Sequence, residues 1–175
     1  MTDNIIIEAL QKFLQERVAN KIKLQTPAKN IDTYDLVHPA VHVGWIPPKL
    51  PENISPESQV TDIPCIIVGM DEGEDDGDSA SLNIRLSFVT FSEGLVKDGK
   101  LYPNYEGYKD LINLIALARR ELSAAAVIED VTSIQRPFKW GMYKDQPAPY
   151  WYGWMTFSVA CAVMGYISGL TEQYE

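Results

Sequence analysis

At 175 residues, 46% hydrophobic and 10% aromatic, the chain suits one globular domain whose core needs no disulfide or metal staple. A formal net charge of −9 argues against a surface that holds nucleic acid by neutralising phosphates. No stretch approaches the ~20 apolar residues of a membrane-spanning helix, and Met1 is not followed by a basic n-region, so a soluble, cytoplasmic chain is expected.

The elements follow in order. Residues 3–20 predict an amphipathic helix, with Asp3 as cap and Ile6, Ala9, Leu10, Phe13, Leu14 and Val18 on one face. Residues 21–35 read as loop. Residues 37–46 read as a strand stopped by the Pro47-Pro48-Lys-Leu-Pro51 run, and 52–62 as a second loop. Residues 63–70 form a short apolar run that suits a strand covered on both faces. Then come six carboxylates in eight residues: Asp71, Glu72, Glu74, Asp75, Asp76 and Asp78. They read as the solvated tip of a hairpin, because strand alternation resumes with Leu82, Ile84, Leu86 and Phe88 against Asn83, Arg85 and Ser87. Residues 92–103 read as loop. Residues 104–123 predict a second helix, capped by Asn104, with Tyr108, Leu111, Ile112, Ile115, Ala118, Arg119 and Leu122 on one face, widened by Leu114 and Leu117. A short strand within 124–134 leads to a last hairpin, 133–142 and 152–164, across a turn holding Pro147 and Pro149. Residues 165–175 are expected to be a flexible tail on a single domain, 1–175. Hairpins plus two helices imply an α+β fold: an antiparallel sheet of about five strands with both helices on one face.

Four groups of residues bear on chemistry. A calcium loop starting at Glu72 has Glu74, Asp76 and Gly77 in register, but Asn83 stands where a bidentate Glu is needed. His38 and His42 have a metal spacing only on a helix, and Pro39 argues for extended chain. Cys65 and Cys161 lie in apolar runs and read as buried free thiols in a reducing compartment, with a disulfide as the alternative. No Gly-x-Ser-x-Gly elbow, Walker loop or dinucleotide fingerprint is present, so neither an enzyme nor a cofactor is expected. The fourth group is aromatic: eight of the 24 residues in 137–160 are Phe, Tyr or Trp. Successive strand residues alternate faces, so this set cannot all point inward. Trp140 and Trp151 are expected to close the domain against the helices. Tyr150, Tyr152 and Trp154 are expected on the other face, as a surface for another subunit. Sugar or peptide binding by a monomer is the competing use, and an unrecognised hydrolase a third.

The segments "VHVGWIPP", "IPCIIVGMDEGEDDGDSASLNIRLSFVTFSEG", "GYKDLINLIALARREL" and "RPFKWGMYKDQPAPYWYGWMTFSV" occur in this order. Together, over about residues 5–165, they resemble the tail-terminator and head–tail joining proteins of long-tailed bacteriophages and prophages. The resemblance implies a small antiparallel sheet with helices on one side. It implies a homo-oligomeric ring, a hexamer, at the head-proximal end of the tail tube, which stops tube growth and meets the neck of the head. The implied partners are the tail-tube protein and a head-completion or neck protein. The implied location is the virion tail, assembled in the bacterial cytoplasm, with no membrane, reaction or cofactor. A neighbouring role in the neck or tail tube fits the same pattern. Residues 47–62 are longer and richer in proline than this pattern, which leaves their loop geometry open. DNA would pass through the ring without being gripped, and the acidic segment Asp71–Asp78 would then face the lumen.

Overall fold

The structure is a computed structural model that describes residues 3–27, 35–44 and 63–163. Helix α1 (Asp3–Arg17) ends in a 3₁₀ turn, Ala19–Lys21. Short strands β1 (Leu24–Gln25) and β2 (Leu36–Val37) pair with each other, and β3 (Ala40–Val43) follows. Next come β4 (Cys65–Asp75), β5 (Ala80–Phe91), β6 (Leu95–Lys97) and β7 (Lys100–Tyr102). Helix α2 (Glu106–Ala125) precedes β8 (Val127–Ile128), β9 (Thr132–Met142) and β10 (Tyr150–Cys161).

The fold is α+β, with two helices and a mostly antiparallel sheet ordered β3-β4-β5-β10-β9-β8. The two long hairpins, β4–β5 and β9–β10, are those that the alternation predicts. They join in the middle, where β10 pairs with β5 from Tyr150↔Phe91 to Cys161↔Ala80. The sixth strand arises because β3 lies parallel to β4 at one edge and β8 adds a short piece at the other.

One face of the sheet carries the core. Leu82, Ile84, Leu86 and Phe88 of β5 are buried beside Ile66 and Val68 of β4 and Met155, Phe157 and Val159 of β10. Both helices pack into this same cluster through Ile6, Leu10 and Leu14 of α1 and Leu111, Leu114, Ile115, Ala118 and Leu122 of α2. Helix α1 touches β3 and β8, the two outermost strands, so the sheet curls over it. Gly153 lets α2 approach β10: a Cβ there would lie 2.8 Å from Ile115 Cδ1 and 3.3 Å from Leu111 Cδ1.

Several expectations need correction. Of the expected face of α2, Leu111, Leu114, Ile115, Ala118 and Leu122 are buried, but Tyr108 and Ile112 are exposed. Apolar spacing defined a stripe wider than the sheet could cover. The expected loop 92–103 contains the β6–β7 hairpin, whose Asp98-Gly99 turn has φ of 52° and 71°. Asp-Gly is the turn pair that suits two positive φ values. The expected loop 21–35 contains β1. The acidic segment is the end of the β4–β5 hairpin, as expected, but pairing reaches further into it: β4 runs on to Asp75, and only 76–79 turn. Asn104 caps α2 from one position further out than a standard cap, its Oδ1 accepting from Glu106 N–H at 3.0 Å. Trp45, Ile46, the proline run, the loop 52–62 and the tail 165–175 lie outside the described residues.

Gly153→Ala should lower stability by about 1–3 kcal/mol, because a methyl has no room between β10 and α2. Urea unfolding of the two chains would measure it, and an unchanged midpoint would mean that α2 yields at no cost.

Candidate functional site

Alternation along β10 divides the aromatic set. Trp151, Gly153, Met155, Phe157 and Val159 face the helices, while Tyr150, Tyr152, Trp154, Thr156 and Ser158 face the outer side. Trp151 docks the start of α2. Its indole N–H donates to Ser92 Oγ at 3.0 Å, and the rings of Tyr105 and Tyr108 lie 5.9 and 5.7 Å away. Ser92 Oγ donates onward to the Asn104 carbonyl at 2.5 Å, and Thr90 Oγ1 to the Gly107 carbonyl at 2.7 Å. Only glycine fits at 107, since a Cβ would come within 2.6 Å of Trp151 Cδ1.

On the outer side the three residues expected to meet a neighbour form a row, each half-buried. Tyr150 packs on Phe91 at 5.5 Å and on Tyr152 at 6.5 Å. Burial raises the Tyr152 hydroxyl pKa, with Tyr150 and Cys65 adding to it. Trp154 lies over Gly141, where a Cβ would stand 3.1 Å from the ring, and the Arg85 guanidinium is 5.5 Å from the ring centroid. Arg85 donates to both oxygens of Asp71, from Nε at 2.9 and 3.0 Å and from Nη2 at 2.7 Å. That bonding is the main reason the Arg85 pKa is raised. Tyr143 and Ser87 share a hydroxyl hydrogen bond of 2.9 Å.

Gln146 closes the hairpin. Its Nε2 donates to the carbonyls of Tyr143 and Tyr152 at 2.7 and 2.8 Å, and its Oε1 accepts from Tyr152 N–H at 2.7 Å. A side-chain amide carries the same donor and acceptor as a peptide group, so Gln146 extends the ladder where Pro147 and Pro149 cannot.

The acidic residues are ordered. The register shifts between Met70 and Glu72, a bulge at Asp71. The bulge sets two consecutive carboxylates on the outer side: Asp71 holds Arg85, and Glu72 accepts from Asn83 Nδ2 at 3.0 Å. Glu74, opposite Ser81, shares that face. Asp75 accepts from Gly77 N–H at 3.0 Å. Asp76 accepts from the N–H groups of Asp78 and Ser79 at 2.9 and 2.7 Å, which holds its pKa below the usual carboxylate range. The solvated tip of the hairpin is thus an ordered ladder end with a side-chain-capped turn.

Trp140 faces the helices, as expected, but does not close the domain. It stands at the sheet edge, 49% exposed, with the Arg119 guanidinium 4.1 Å from its ring. A cleft of about 340 Å³ beside it is lined by Tyr108, Ile112, Arg119 and Met142. His38 Nδ1 lies 2.8 Å from the Ile22 carbonyl and 3.1 Å from that of Ala19, and so ties the β2–β3 connection to the end of α1. Cys65 and Cys161 are free thiols. Among the described residues, no group of three or more His, Cys, Asp or Glu is arranged to hold a metal ion. Sequence reading missed the Arg85–Asp71 pair, the Gln146 bridge and the Arg119–Trp140 stack, because each joins residues brought together only by sheet register or by the docking of α2.

No protein-family model matches the chain, and no curated protein is detectably similar to it.

Gln146→Ala should cost about 1–3 kcal/mol, because it removes the side-chain partner of the Tyr143 carbonyl and the Tyr152 N–H, while the Tyr152 carbonyl keeps the Tyr143 N–H at 3.1 Å. The local sign is faster amide exchange at Tyr152 than at the mid-strand residue Phe157. Equal exchange in the two chains would deny Gln146 this role.

Proposed function

We propose that the protein is a structural subunit of a bacteriophage tail, which assembles as a homo-oligomeric ring at the head-proximal end of the tail tube. The ring ends tube growth and joins tail to head. One observation carries the ring: some of the exposed apolar side chains stand at opposite edges of one sheet, on two unlike surfaces. At one edge stand Val43 and Met70, 49% and 46% exposed. At the other stand Trp140 and Ile112, 49% and 45% exposed, with Tyr108 beside them. Exposed apolar patches of this kind mark interaction sites. Two different surfaces are what a head-to-tail contact requires, and such a contact closes into a ring when its rotation allows.

The order of segments that resembles tail-terminator proteins supplies the place of the ring in the virion. Under this reading the ring meets the tail-tube protein on one side and a neck or head-completion protein on the other. Tyr150, Tyr152 and Trp154 give the outer face an aromatic row for such a contact. Asp76 and Asp78, in the turn of the β4–β5 hairpin, would border the lumen, where like charge keeps DNA sliding. The protein then works by shape and charge, without a reaction or a cofactor.

Sedimentation equilibrium tests the ring. Six copies of 19.7 kDa give about 120 kDa. Ile112→Ser with Trp140→Ala should weaken association by about 2 kcal/mol or more, while the melting temperature stays close to that of the parent chain. A chain that remains at 19.7 kDa up to millimolar concentration overturns the ring. Quenching of Trp140 by an oligosaccharide or peptide in such a monomer would favour the binding-module alternative.

A further inference from the structure

We propose that neighbouring subunits join by antiparallel pairing of the outer edge of β4 in one copy with the outer edge of β9 in the next, so that one sheet runs on between copies. This deepens the ring reading and rests on it for closure.

The first observation is the pairing of the edges. Strand β3 covers β4 only from Cys65 to Val68. Among the described residues, none pairs with the outer edge of 69–74. Strand β8 covers β9 only at Thr132 and Ser133, with one further bond from Ile134 N–H to the Ala126 carbonyl. Pro137 has no N–H to give, but beyond it Phe138–Met142 has no outer partner among the described residues. The two open edges are of similar length. An open edge is a template for another strand.

The second is direction. Strands β4, β5, β10 and β9 alternate, so β4 and β9 run opposite ways. A second copy set beside the first in the same orientation therefore brings the two edges together antiparallel, with the helices of both copies on one side.

The third is charge. Residues 69–74 carry Asp71, Glu72 and Glu74 and no cation. Residues 135–142 carry Arg136 and Lys139 and no carboxylate, and Arg119 stands beside them on Trp140. Pairing either edge with its own kind would set like charges opposite each other, which is destabilising, whereas β4 against β9 sets acid opposite base. Met70 and Trp140 complete the match. Both face the helix side of their strands and both are about half exposed. A thioether against an indole is a favourable contact.

The experiment reverses the charges. Glu72→Lys with Glu74→Lys in one chain, and Arg136→Glu with Lys139→Glu in another, should each weaken self-association on the order of tenfold or more. A 1:1 mixture of the two chains should associate again, because each then meets an opposite edge. In the unaltered chain, a zero-length carbodiimide should link Glu72 to Lys139, which the Met70–Trp140 register sets side by side. Mixing isotopically labelled and unlabelled chain tells a link between copies from one within a subunit, since only the former gives mixed-label peptide pairs. This measurement decides the matter even if a reversed chain fails to fold. Association that survives both reversals, without the cross-link, overturns the edge pairing and leaves the ring standing. An unaltered chain that never associates overturns both.

Discussion

Strand β10 is hydrogen-bonded to β5 along its whole length and to β9 over most of it. No residue between Tyr150 and Cys161 can change face unless the register of the sheet changes with it. That constraint sends Trp151 to the helices and Tyr150, Tyr152 and Trp154 to the outer side. It also fixes where α2 can sit, because Gly153 and Gly107 are the two places at which helix and sheet come too close for a side chain. The docking of α2 by Trp151 and the outer aromatic row are therefore two consequences of one strand's alternation.

The acidic segment shows how charge is accommodated in regular structure. Six carboxylates would repel one another in a free loop. Here a bulge at Asp71 turns two of them toward Arg85 and Asn83, and the turn uses Asp76 as its own cap. The pairs are partly exposed, so each is worth a modest amount in stability. Their larger effect is positional. They hold the ladder together to Asp75 and keep an edge strand acidic over the length that β3 leaves uncovered.

The opposite edge has the complementary character. Trp140 and Ile112 are left outside the core because the stripe of α2 that meets the sheet runs through Leu111, Leu114, Ile115, Ala118 and Leu122. Arg119 covers the Trp140 ring without burying it. Under the proposed reading, an acidic, Met-bearing edge and a basic, Trp-bearing edge supply the asymmetry that head-to-tail assembly uses, and like edges would disfavour a symmetric dimer.

The face of β5 was legible in the sequence, since Leu82, Ile84, Leu86 and Phe88 alternate with polar residues and a strand has a period of two. The buried face of α1 and the split of the aromatic hairpin were legible for the same local reason. The face of α2 was not, because Tyr108 and Ile112 fit the helical period as well as Leu114 does, and only the width of the sheet decides which are covered. Asp98-Gly99 is a turn signal that the sequence carries by itself, since this pair suits two positive φ values. The Arg85–Asp71 pair, the Gln146 bridge and the two edges left open among the described residues could not be read at all. They depend on register and strand order, which set residues far apart in the chain side by side. Periodicity determined which way side chains point within an element, and tertiary structure alone decided what stands opposite them, because that depends on how the elements pair and pack.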